Sequence, residues 1–484
     1  MPSPLTRPTG GAAPPAAPPA APQRGRAMMP LMSACAILVI SMVAAINLAI
    51  PKLAAGDLRP TATEVLWTVD AYVLVFGCLL IPAGAAGDRF GRKGALLCGL
   101  ALFAAGCLLS AVAPTVPVLL AGRLVTGAGA ALIMPATLSL LLQVTGPAGR
   151  PQAIAAWTAA TGVAGAVGNL AGGAVLQWLP WQGLFLLGAP AAAVLAALVA
   201  RLAPRGERHP ADLDLPGSAL LTLALFALLF GIIEGPAKGW TAAPVLGAFG
   251  AAALLAAAFT GYALRAAHPL LDPRLFAGAR LRSGVLGVAA AFFGLFALFF
   301  VNAQYLQYLK GYPPLLTGAA IAPLVLGMIV MSRRSVALAG RLGERAVAAL
   351  GLLVLAAGLG LLSLADAATP YPLYALFLIV MSVGMGLCVP ILSIAVMTAL
   401  PADRAGLGSG LNGAARELGS ALGVAAIGTV MAARAPGPHG GAGVPGGMAF
   451  GEGMAAGFRI VALVVLVLGL LALAGLGRRP EGAD

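Results

Sequence analysis

Long apolar runs separated by short polar segments make up most of the 484-residue sequence. Hydrocarbon offers no water to satisfy free backbone groups, so an apolar run of about 20 residues crosses a bilayer as a helix. The pattern predicts fourteen transmembrane helices, an even number that places both termini on the same side. In chain order they are Leu31–Pro51, Val65–Ala85, Gly94–Ala113, Val116–Leu142, Gln152–Gln177, Gly183–Leu202, Leu215–Glu234, Pro244–Leu264, Gly284–Gln307, Leu315–Ser332, Ala346–Ala365, Tyr371–Ala395, Leu407–Ala432 and Met454–Leu476.

Composition agrees with this pattern. Hydrophobic residues make up 60% of the chain, and the mean hydropathy is +0.97. Soluble domains contain only about 45–50% apolar residues. The lipid bilayer is therefore the expected surroundings of most of the chain.

The net charge of +13 is unevenly distributed along the sequence. Most of the 29 Lys and Arg residues fall in loops on the same side as the N-terminus. Cytoplasmic loops of membrane proteins carry such an excess. The sequence therefore predicts a multi-pass plasma-membrane protein with both termini cytoplasmic, and no nucleic-acid partner is expected.

The two ends of the chain differ from the apolar runs. Residues 1–30 are rich in Pro and Ala and contain no acidic residue. Such a segment cannot bury a core, so we expect a disordered cytoplasmic tail. Residues 477–484 are expected to form a second, short cytoplasmic tail.

Enzyme and metal chemistry find little support in the sequence. His209, His268 and His439 all lie in predicted loops, far apart along the chain. The five cysteines occur singly in apolar helices without CxxC spacing, which is typical of small buried hydrophobic residues. We therefore expect no metal site, no cofactor and no catalytic triad.

The segment GAAGDRFGRKGAL, between the second and third predicted helices, places four charges within six residues of a chain that is 9% charged. Glycine permits a tight turn and close helix approach, and Asp88 can cap a helix start or pair with a basic group across a gate. The pattern G-x-x-x-D-R-x-G-R-K resembles the loop motif of the major facilitator superfamily. The matching residues are Gly84, Asp88, Arg89, Gly91, Arg92 and Lys93.

Three further segments are similar to one group within that superfamily, the fourteen-helix drug:proton antiporters of the EmrB/QacA type. They are LWTVDAY in helix 2, RLVTGAGAALIMPATLSL in helix 4 and YLQYLKGYPPLLTGAAIAPL across helices 9 and 10. The resemblance implies an all-α membrane protein with the major facilitator fold. It predicts a six-helix half at 31–202, a linker with two inserted helices at 203–283, and a second six-helix half at 284–476. Substrate would bind between the halves, which would rock to give alternating access.

The fifth predicted helix carries a glycine motif that resembles the antiporter motif of this group. Its residues are Gly165, Gly168, Asn169, Gly172 and Gly173. Small residues let helices pack backbone to backbone. Asn169 replaces the usual Pro, which would have bent the helix. Asn169 offers a polar group to a ligand, and small-residue packing alone explains the motif equally well.

Other positions depart from the pattern of the group. Met42 stands where a helix 1 Asp is usual, and Gly188 stands where an Asn is usual before Pro190. Gln182 replaces an Arg, and Thr126 replaces a Gln. A helix 1 carboxylate would favour cations, so Met42 suggests that permanent cations are poorer substrates than neutral or anionic molecules.

Charged residues inside the predicted helices are sparse and therefore informative, because an unpaired charge in a membrane is costly. Asp70 and Arg123 are the candidates for proton coupling, with a structural role at the helix start as the alternative for Asp70. Arg416 and Glu417 are expected at the cytoplasmic end of helix 13, where they would make gate contacts. Six more residues are candidates to line a substrate cavity, although hydrogen bonds between helices explain them as well: Asn47, Trp67, Tyr72, Asn302, Gln304 and Gln307.

These observations favour a secondary transporter that exports amphipathic small molecules from the cytoplasm in exchange for protons. A transporter dedicated to one metabolite is an alternative. A sensor or assembly protein that has lost transport is another, because several polar positions are replaced.

Overall fold

The computed structural model describes residues 21–54, 56–60, 62–204, 214–267, 269–312, 314–400, 404–434 and 447–476. These residues form fifteen α-helices. The helices are α1 (Ala21–Ala54), α2 (Ala62–Phe90), α3 (Arg92–Ala111), α4 (Val116–Val144), α5 (Arg150–Trp178), α6 (Gln182–Leu202), α7 (Leu215–Lys238), α8 (Ala243–Ala263), α9 (Ala279–Gln304), α10 (Pro314–Ala319), α11 (Ala322–Leu342), α12 (Glu344–Leu362), α13 (Tyr371–Thr398), α14 (Ala405–Arg434) and α15 (Gly447–Leu473).

All fourteen predicted membrane helices are present, the short α10 and α11 together forming the tenth. Thirteen of the spans are long and apolar enough to cross a membrane by themselves. The fourteen-helix major facilitator fold is therefore confirmed. The remaining span is α14, whose sequence carries Arg416, Glu417 and several glycines. It packs against α2, α4, α9 and α15, so protein rather than lipid surrounds much of its polar surface.

Some helix ends differ from the prediction. Helix α1 begins at Ala21, so residues 21–30 of the expected tail are helical. Residues 1–20 and 477–484, and with them the rest of both tails, lie outside the described part of the chain. Helix α11 continues to Leu342 rather than ending at Ser332, and it carries Arg333 and Arg334 exposed on its surface. Long basic side chains can cover apolar surface while the charge reaches water, which allows a helix to continue past the apolar run.

The helices pack mainly within two groups. In the early group, α1 contacts α5, α2 contacts α4, and α3 contacts both α4 and α6. Later in the chain, α9 contacts α14, and α13 contacts both α11 and α12. Fewer pairs connect the early group with the late one: α2 with α14, α5 with α11, α4 with α14 and α5 with α13. The hairpin of α7 and α8 lies against α2 and α14. It therefore borders the line along which the two groups meet.

Close helix crossings within each group depend on small residues. A methyl group added to Gly384 of α13 would overlap the backbone of α12 at Leu355. Lipid tails are as apolar as the side chains, so helices in a bilayer gain by packing closely rather than by escaping water. The observed burial also corrects one expectation about cysteine: Cys98 is exposed on α3, whereas the other four cysteines are buried.

Three of the lysines donate hydrogen bonds to backbone carbonyl groups of neighbouring segments, and two of these segments are helix ends. Lys52 donates hydrogen bonds to the carbonyl oxygens of Leu176 and Leu179 at the end of α5. Lys310 donates to the carbonyl oxygens of Ala367 and Thr369 in the loop between α12 and α13. Carbonyl groups at a helix end lack partners within the helix, and a cation there also faces the negative end of the helix dipole. The third lysine, Lys93, belongs to the site described next.

Candidate functional site

The charged motif forms the turn between α2 and α3. Gly91 has a φ of 102° there, a conformation that residues with a side chain rarely adopt. Gly84 lies one turn before Asp88 on α2, where a methyl group would overlap the backbone oxygen of Gly406 on α14. The two glycines thus serve a tight turn and a close crossing with the other helix group. We call the end of the bundle that contains this turn the motif face.

Asp88 joins the two helix groups at the motif face. Its carboxylate accepts hydrogen bonds from the backbone amides of Gly406, at 3.0 Å, and Leu407, at 3.1 Å. These amides belong to the first turn of α14, which otherwise lacks acceptors, and the negative charge faces the positive end of the helix dipole. Arg92 lies one turn further on and donates to the same carboxylate at 3.1 Å. Asp88 therefore caps a helix that lies more than 300 residues away in sequence.

The other basic residues of the motif stay within the first helix group. Arg92 also donates to the carbonyl oxygen of Ser139 on α4 at 3.3 Å. Lys93 donates to the carbonyl oxygens of Ala200 and Ala203 at the end of α6, both at 2.7 Å. The guanidinium group of Arg89 lies 5.4 Å from the ring centre of Phe90. Gly84 and Asp88 thus contact the second helix group, whereas Arg92 and Lys93 donate hydrogen bonds to helices α4 and α6 of the first group.

The crossing of α2 and α14 continues from the motif face toward the middle of the bundle. A methyl group on Gly410 would lie 2.5 Å from the backbone oxygen of Leu80. Further along, Cβ of Glu417 lies 3.6 Å from a methyl group placed on Gly77. Leu229 of the inserted helix α7 borders Gly77 as well. Glu417 therefore lies where the two helix groups and the inserted hairpin meet.

Arg416 and Glu417 do not lie at the end of their helix, so that expectation is wrong. Helix α14 begins at Ala405 and runs to Arg434. At a rise of 1.5 Å per residue, Arg416 lies about 17 Å along this helix. The pair occupies the middle of a membrane-spanning helix, where a charge costs much more than at the membrane edge.

Arg416 lies between aromatic rings from both helix groups. Its guanidinium group is 4.4 Å from the ring centre of Phe292 on α9 and 5.7 Å from that of Trp157 on α5. The indole nitrogen of Trp157 donates to Thr137 on α4 at 3.3 Å, which fixes the ring. A cation over an aromatic ring contributes about 0.5–2 kcal/mol. Removing a charge from water costs several kcal/mol, so the rings offset the burial of Arg416 only in part.

Arg123 is fully buried against helix α2. Its Nε donates to the carbonyl oxygen of Thr68 at 2.8 Å, and its guanidinium group lies 4.6 Å from the ring centre of Tyr72. Asp70 lies between these two residues on the same helical stretch, although its side chain is outside the described part of the structure. The structure thus brings the side chain of Arg123 to the turn of α2 that carries Asp70.

Met42 and Gly188, two of the residues that depart from the family pattern, lie against each other. Met42 is buried, and its Sδ-methyl group would lie 2.8 Å from a Cβ added to Gly188 on α6. Cys107 of α3 borders the same position at 3.2 Å. The methionine therefore occupies space that a larger residue at position 188 would need. Thr126 also departs from the family pattern. Its hydroxyl group donates a hydrogen bond to the carbonyl oxygen of Gly122 in the same helix at 2.7 Å.

The glycine motif of α5 has two faces. Methyl groups on Gly168 and Gly172 would overlap α1 at Ser41 and Ala45, so these glycines serve close packing within the first helix group. On the other face, a methyl group on Gly165 would lie 3.8 Å from Phe299 of α9, in the second group. Two neighbours complete the motif: Gly173 lies near Leu48, and Asn169 is half-buried.

The four cavity candidates whose side chains the structure describes do not gather into one site. Trp67 packs 5.8 Å from the ring of Phe230 on the inserted helix α7. Tyr72 lies beneath Arg123 and donates to the Val39 carbonyl oxygen at 3.0 Å. In the second group, Asn302 accepts from Tyr374 at 2.9 Å, and Gln304 donates to the carbonyl oxygen of Phe300 at 2.9 Å. Side chains of Asn47 and Gln307 lie outside the described residues.

Sequence reasoning missed a row of phenylalanines on α9. Phe292, Phe296 and Phe299 are spaced by four and three residues, which places them on one helix face. Ring centres lie 6.3 Å apart for the first pair and 5.5 Å apart for the second. The spacing was visible in the sequence, but only the structure shows that Arg416 covers one end of the row and that Gly165 of α5 lies opposite the other.

Comparisons with known proteins agree with this architecture. The family model described as Major Facilitator Superfamily matches residues 32–424. The chain is similar to the methylenomycin A resistance protein of Streptomyces coelicolor, with 33% identity over 80% of this chain and 82% of that protein. It is also similar to the tetracenomycin C resistance and export protein of Streptomyces glaucescens, with 34% identity over 78% of this chain and 71% of that protein.

Two solved structures share the fold. The human organic anion transporter MFSD10 superposes with a TM-score of 0.65 at 18% identity, covering 94% of this chain and 100% of that one. The proton:xylose symporter XylE superposes with a TM-score of 0.65 at 12% identity, covering 93% of this chain and 95% of that one. At such low identity the likeness concerns the fold alone.

Proposed function

Because the chain belongs to the major facilitator superfamily, we propose that it exports amphipathic small molecules, antibiotics among them, from the cytoplasm in exchange for protons. Relatives that are about one third identical over most of their length carry names of antibiotic resistance and export. Multidrug resistance and efflux proteins of mycobacteria are 30–32% identical. Names of both kinds support export, either of one antibiotic or of many compounds.

The observation that carries the proposal is the contact of Asp88 with the first turn of α14. A transporter that alternates between two openings needs a contact between its halves that forms in one state and breaks in the other. Two hydrogen bonds to backbone amides at 3.0 and 3.1 Å satisfy this need, because water can replace them when the helices separate. Arg92 stays beside Asp88 in the same helix group and shields the charge after release.

Each half would move as a unit. Lys93 holds the end of α6, Lys52 holds the end of α5, and close glycine crossings join α5 to α1. Such contacts within a half resist shear, whereas the seam between α2 and α14 combines glycine crossings, an apolar cluster that includes Ile81 and Leu407, and the acidic cap at Asp88. The distribution favours rocking of two rigid halves over rearrangement within a half.

Proton exchange would use a carboxyl group inside the bundle, and Asp70 is the first candidate. Arg123 contacts the residues on both sides of it, Thr68 and Tyr72. An approaching guanidinium group favours the charged carboxylate, whereas burial without it favours the protonated form, so a movement between the two environments would drive uptake and release. Glu417 is the second candidate, because it lies at the seam between the halves.

The proposal places the motif face in the cytoplasm, with both termini, because the basic loops cluster there. Small-molecule substrate, protons and the lipid bilayer are then the partners, and no catalytic chemistry is needed. A sensor or assembly protein without transport remains the alternative from another class. It would require neither proton exchange nor a reversible contact at Asp88.

The experiment is a susceptibility test in a bacterial host that lacks its own efflux pumps. Expression of the chain should raise the inhibitory concentration of at least one antibiotic in a panel, and Asp88→Asn should reduce this gain at an equal membrane level of protein. Asp57→Asn is the matched control, because Asp57 is an exposed loop residue. No gain for any compound, together with correct membrane insertion, would contradict export.

A further inference from the structure

We propose that Arg416 and the phenylalanine row of α9 form a binding site for amphipathic organic anions. This inference rests on the proposed export function and assigns a substrate class to the interface between the halves. The acidic head group would pair with Arg416, and the apolar body would lie along Phe296 and Phe299 toward the small residues of α5. The site is defined below as Arg416, Phe292, Phe296, Phe299 and Gly165.

Among the described residues, no side chain or carbonyl group accepts a hydrogen bond from the guanidinium group of Arg416. Arg416 is 6% exposed, and its guanidinium group makes no ion pair with any residue of the described ranges either. Its contacts are the ring faces of Phe292 and Trp157. A guanidinium group has five donors and matches the two oxygens of a carboxylate. Donors left unused in the middle of a membrane protein indicate a site for a ligand that supplies acceptors.

The neighbouring carboxylate does not fill this role. Glu417 follows Arg416 in sequence, but successive helical residues point about 100° apart. Cβ of Glu417 lies beside Gly77 of α2, whereas Arg416 reaches toward α5 and α9. The two charges thus serve different faces of α14. The face of Arg416 is left with one positive charge and aromatic surface.

The phenylalanine row gives this charge an apolar extension. Phe292 is buried under Arg416, whereas Phe296 and Phe299 are half-buried and follow it toward the far end of α9. Opposite them, Gly165 of α5 has no side chain, and an added methyl group would lie 3.8 Å from Phe299. The space at this point takes a methyl group at ordinary van der Waals distance, so a flat apolar group would enter between α9 and α5 as the halves move apart.

This arrangement fits a molecule with one acidic group at the end of a flat hydrophobic body. A cation would meet Arg416 with like charge, and a neutral molecule could accept hydrogen bonds from the guanidinium group but would not neutralise its charge. The halves contribute unequally: α14 and α9 supply the charge and the phenylalanine row, and α5 supplies Trp157 and the surface at Gly165, which has no side chain. Binding would therefore involve both halves, as transport by alternating access requires.

The test uses three fluorescent probes that share one aromatic body and differ in head charge. Dansylglycine is an anion at neutral pH, dansylglycinamide is neutral, and N-(2-aminoethyl)dansylamide, whose linker is of similar length, is a cation. Binding to the full-length protein in lipid nanodiscs is measured by fluorescence titration. A hydrogen bond between two charged groups is stronger than one to a neutral acceptor, so the anion should bind about ten-fold tighter than the amide or better, and the cation should bind weakest.

Two substitutions separate recognition of charge from structural support. Arg416→Gln should lower the affinity for dansylglycine about ten-fold and change the affinity for dansylglycinamide less than about two-fold. Arg416→Lys should retain part of the preference for the anion. Phe299→Ala should weaken both probes alike, because it removes apolar surface. Arg459→Gln, at an exposed position on α15, is the control. If Arg416→Gln does not yield folded protein, the wild-type preference and Arg416→Lys decide the question.

Equal affinity of the wild-type protein for the three probes would overturn the inference. An equal loss of affinity for the anionic and the neutral probe in Arg416→Gln would also overturn it, because that result indicates a structural role for Arg416. Neither outcome touches the proposed function, which is read from drug resistance. Conversely, charge-selective binding without resistance to any compound would leave the site in place and contradict export.

Discussion

The carboxylate of Asp88 accepts a hydrogen bond from the backbone amide of Gly406 at 3.0 Å. Asp88 lies in the last turn of α2, and Gly406 lies in the first turn of α14. The bond closes the bundle at the motif face, and it crosses between the two groups of six helices. In the proposed transport cycle this cap would also serve as the gate, which would link helix stability to the conformational state of the protein.

Removing the charge of Asp88 should weaken this closure. In Asp88→Asn the amide can still accept one hydrogen bond, but the attraction to the helix dipole and to Arg92 is lost. A loss of about 1–2 kcal/mol shifts the balance between closed and open states by roughly ten-fold. Drug export in everted vesicles should fall several-fold at unchanged protein level. Export equal to the Asp57→Asn control would show that the cap is not part of the transport cycle.

Bulk at the crossing of α2 and α14 should also impair transport. In Gly84→Ala the new methyl group overlaps the backbone oxygen of Gly406, so the helices must separate. Overpacking of this kind typically costs about 1–3 kcal/mol. We expect a lower melting temperature and reduced export. The matched control is Gly94→Ala on α3, where an added methyl group meets nothing within 4 Å.

The sequence was sufficient to predict the helices because the bilayer allows so few alternatives. Every apolar run became helical, although the ends shifted, as at Ala21 and Leu342, and the tenth run divides into α10 and α11. Local pattern also indicated that Gly91 forms a turn. It could not indicate the acceptor role of Asp88 toward Gly406, because no feature of the intervening chain encodes which helix start reaches the motif.

The sequence was a weaker guide to how deep a side chain lies in the membrane and to which neighbouring helix it contacts. Arg416 was expected at the membrane edge, since charges are cheapest there, but aromatic rings from two other helices allow it to lie in mid-helix. Met42 and Gly188 were recognised as separate departures. Their contact depends on how α1 packs against α6, and a single sequence carries no information on that pairing.

That contact predicts non-additive effects. Met42→Asp alone places a carboxyl group in a buried position next to Gly188 and Cys107, and we expect a marked loss of thermal stability. Adding Gly188→Asn supplies a hydrogen-bond donor and restores the pair that is usual in the resembled group. The double variant should recover about 1 kcal/mol or more relative to the sum of the single changes. Strict additivity in thermal unfolding would show that the two positions are independent.

Topology can be tested with two exposed positions. Arg341→Cys, near the end of α11 at the motif face, should react with a membrane-impermeant thiol reagent only after the cells are opened. Asp57→Cys, in the loop between α1 and α2, should react in intact cells. The prediction rests on the clustering of basic residues in cytoplasmic loops. Labelling of Arg341→Cys in intact cells would reverse the proposed orientation. Because Cys98 is exposed, Cys98→Ser provides the background for both variants.

Proton exchange is the central claim, and Asp70 is its first candidate. Everted membrane vesicles are energised by respiration, and their internal acidity is followed with a pH-sensitive acridine dye. Addition of a compound to which the chain confers resistance should release protons from vesicles that contain the wild-type protein or the control Glu452→Gln, an exposed residue of α15. Asp70→Asn should still bind the compound and release none. Wild-type proton release from Asp70→Asn would move the proton path elsewhere, with Glu417 next, and no release from the wild-type protein would contradict the account.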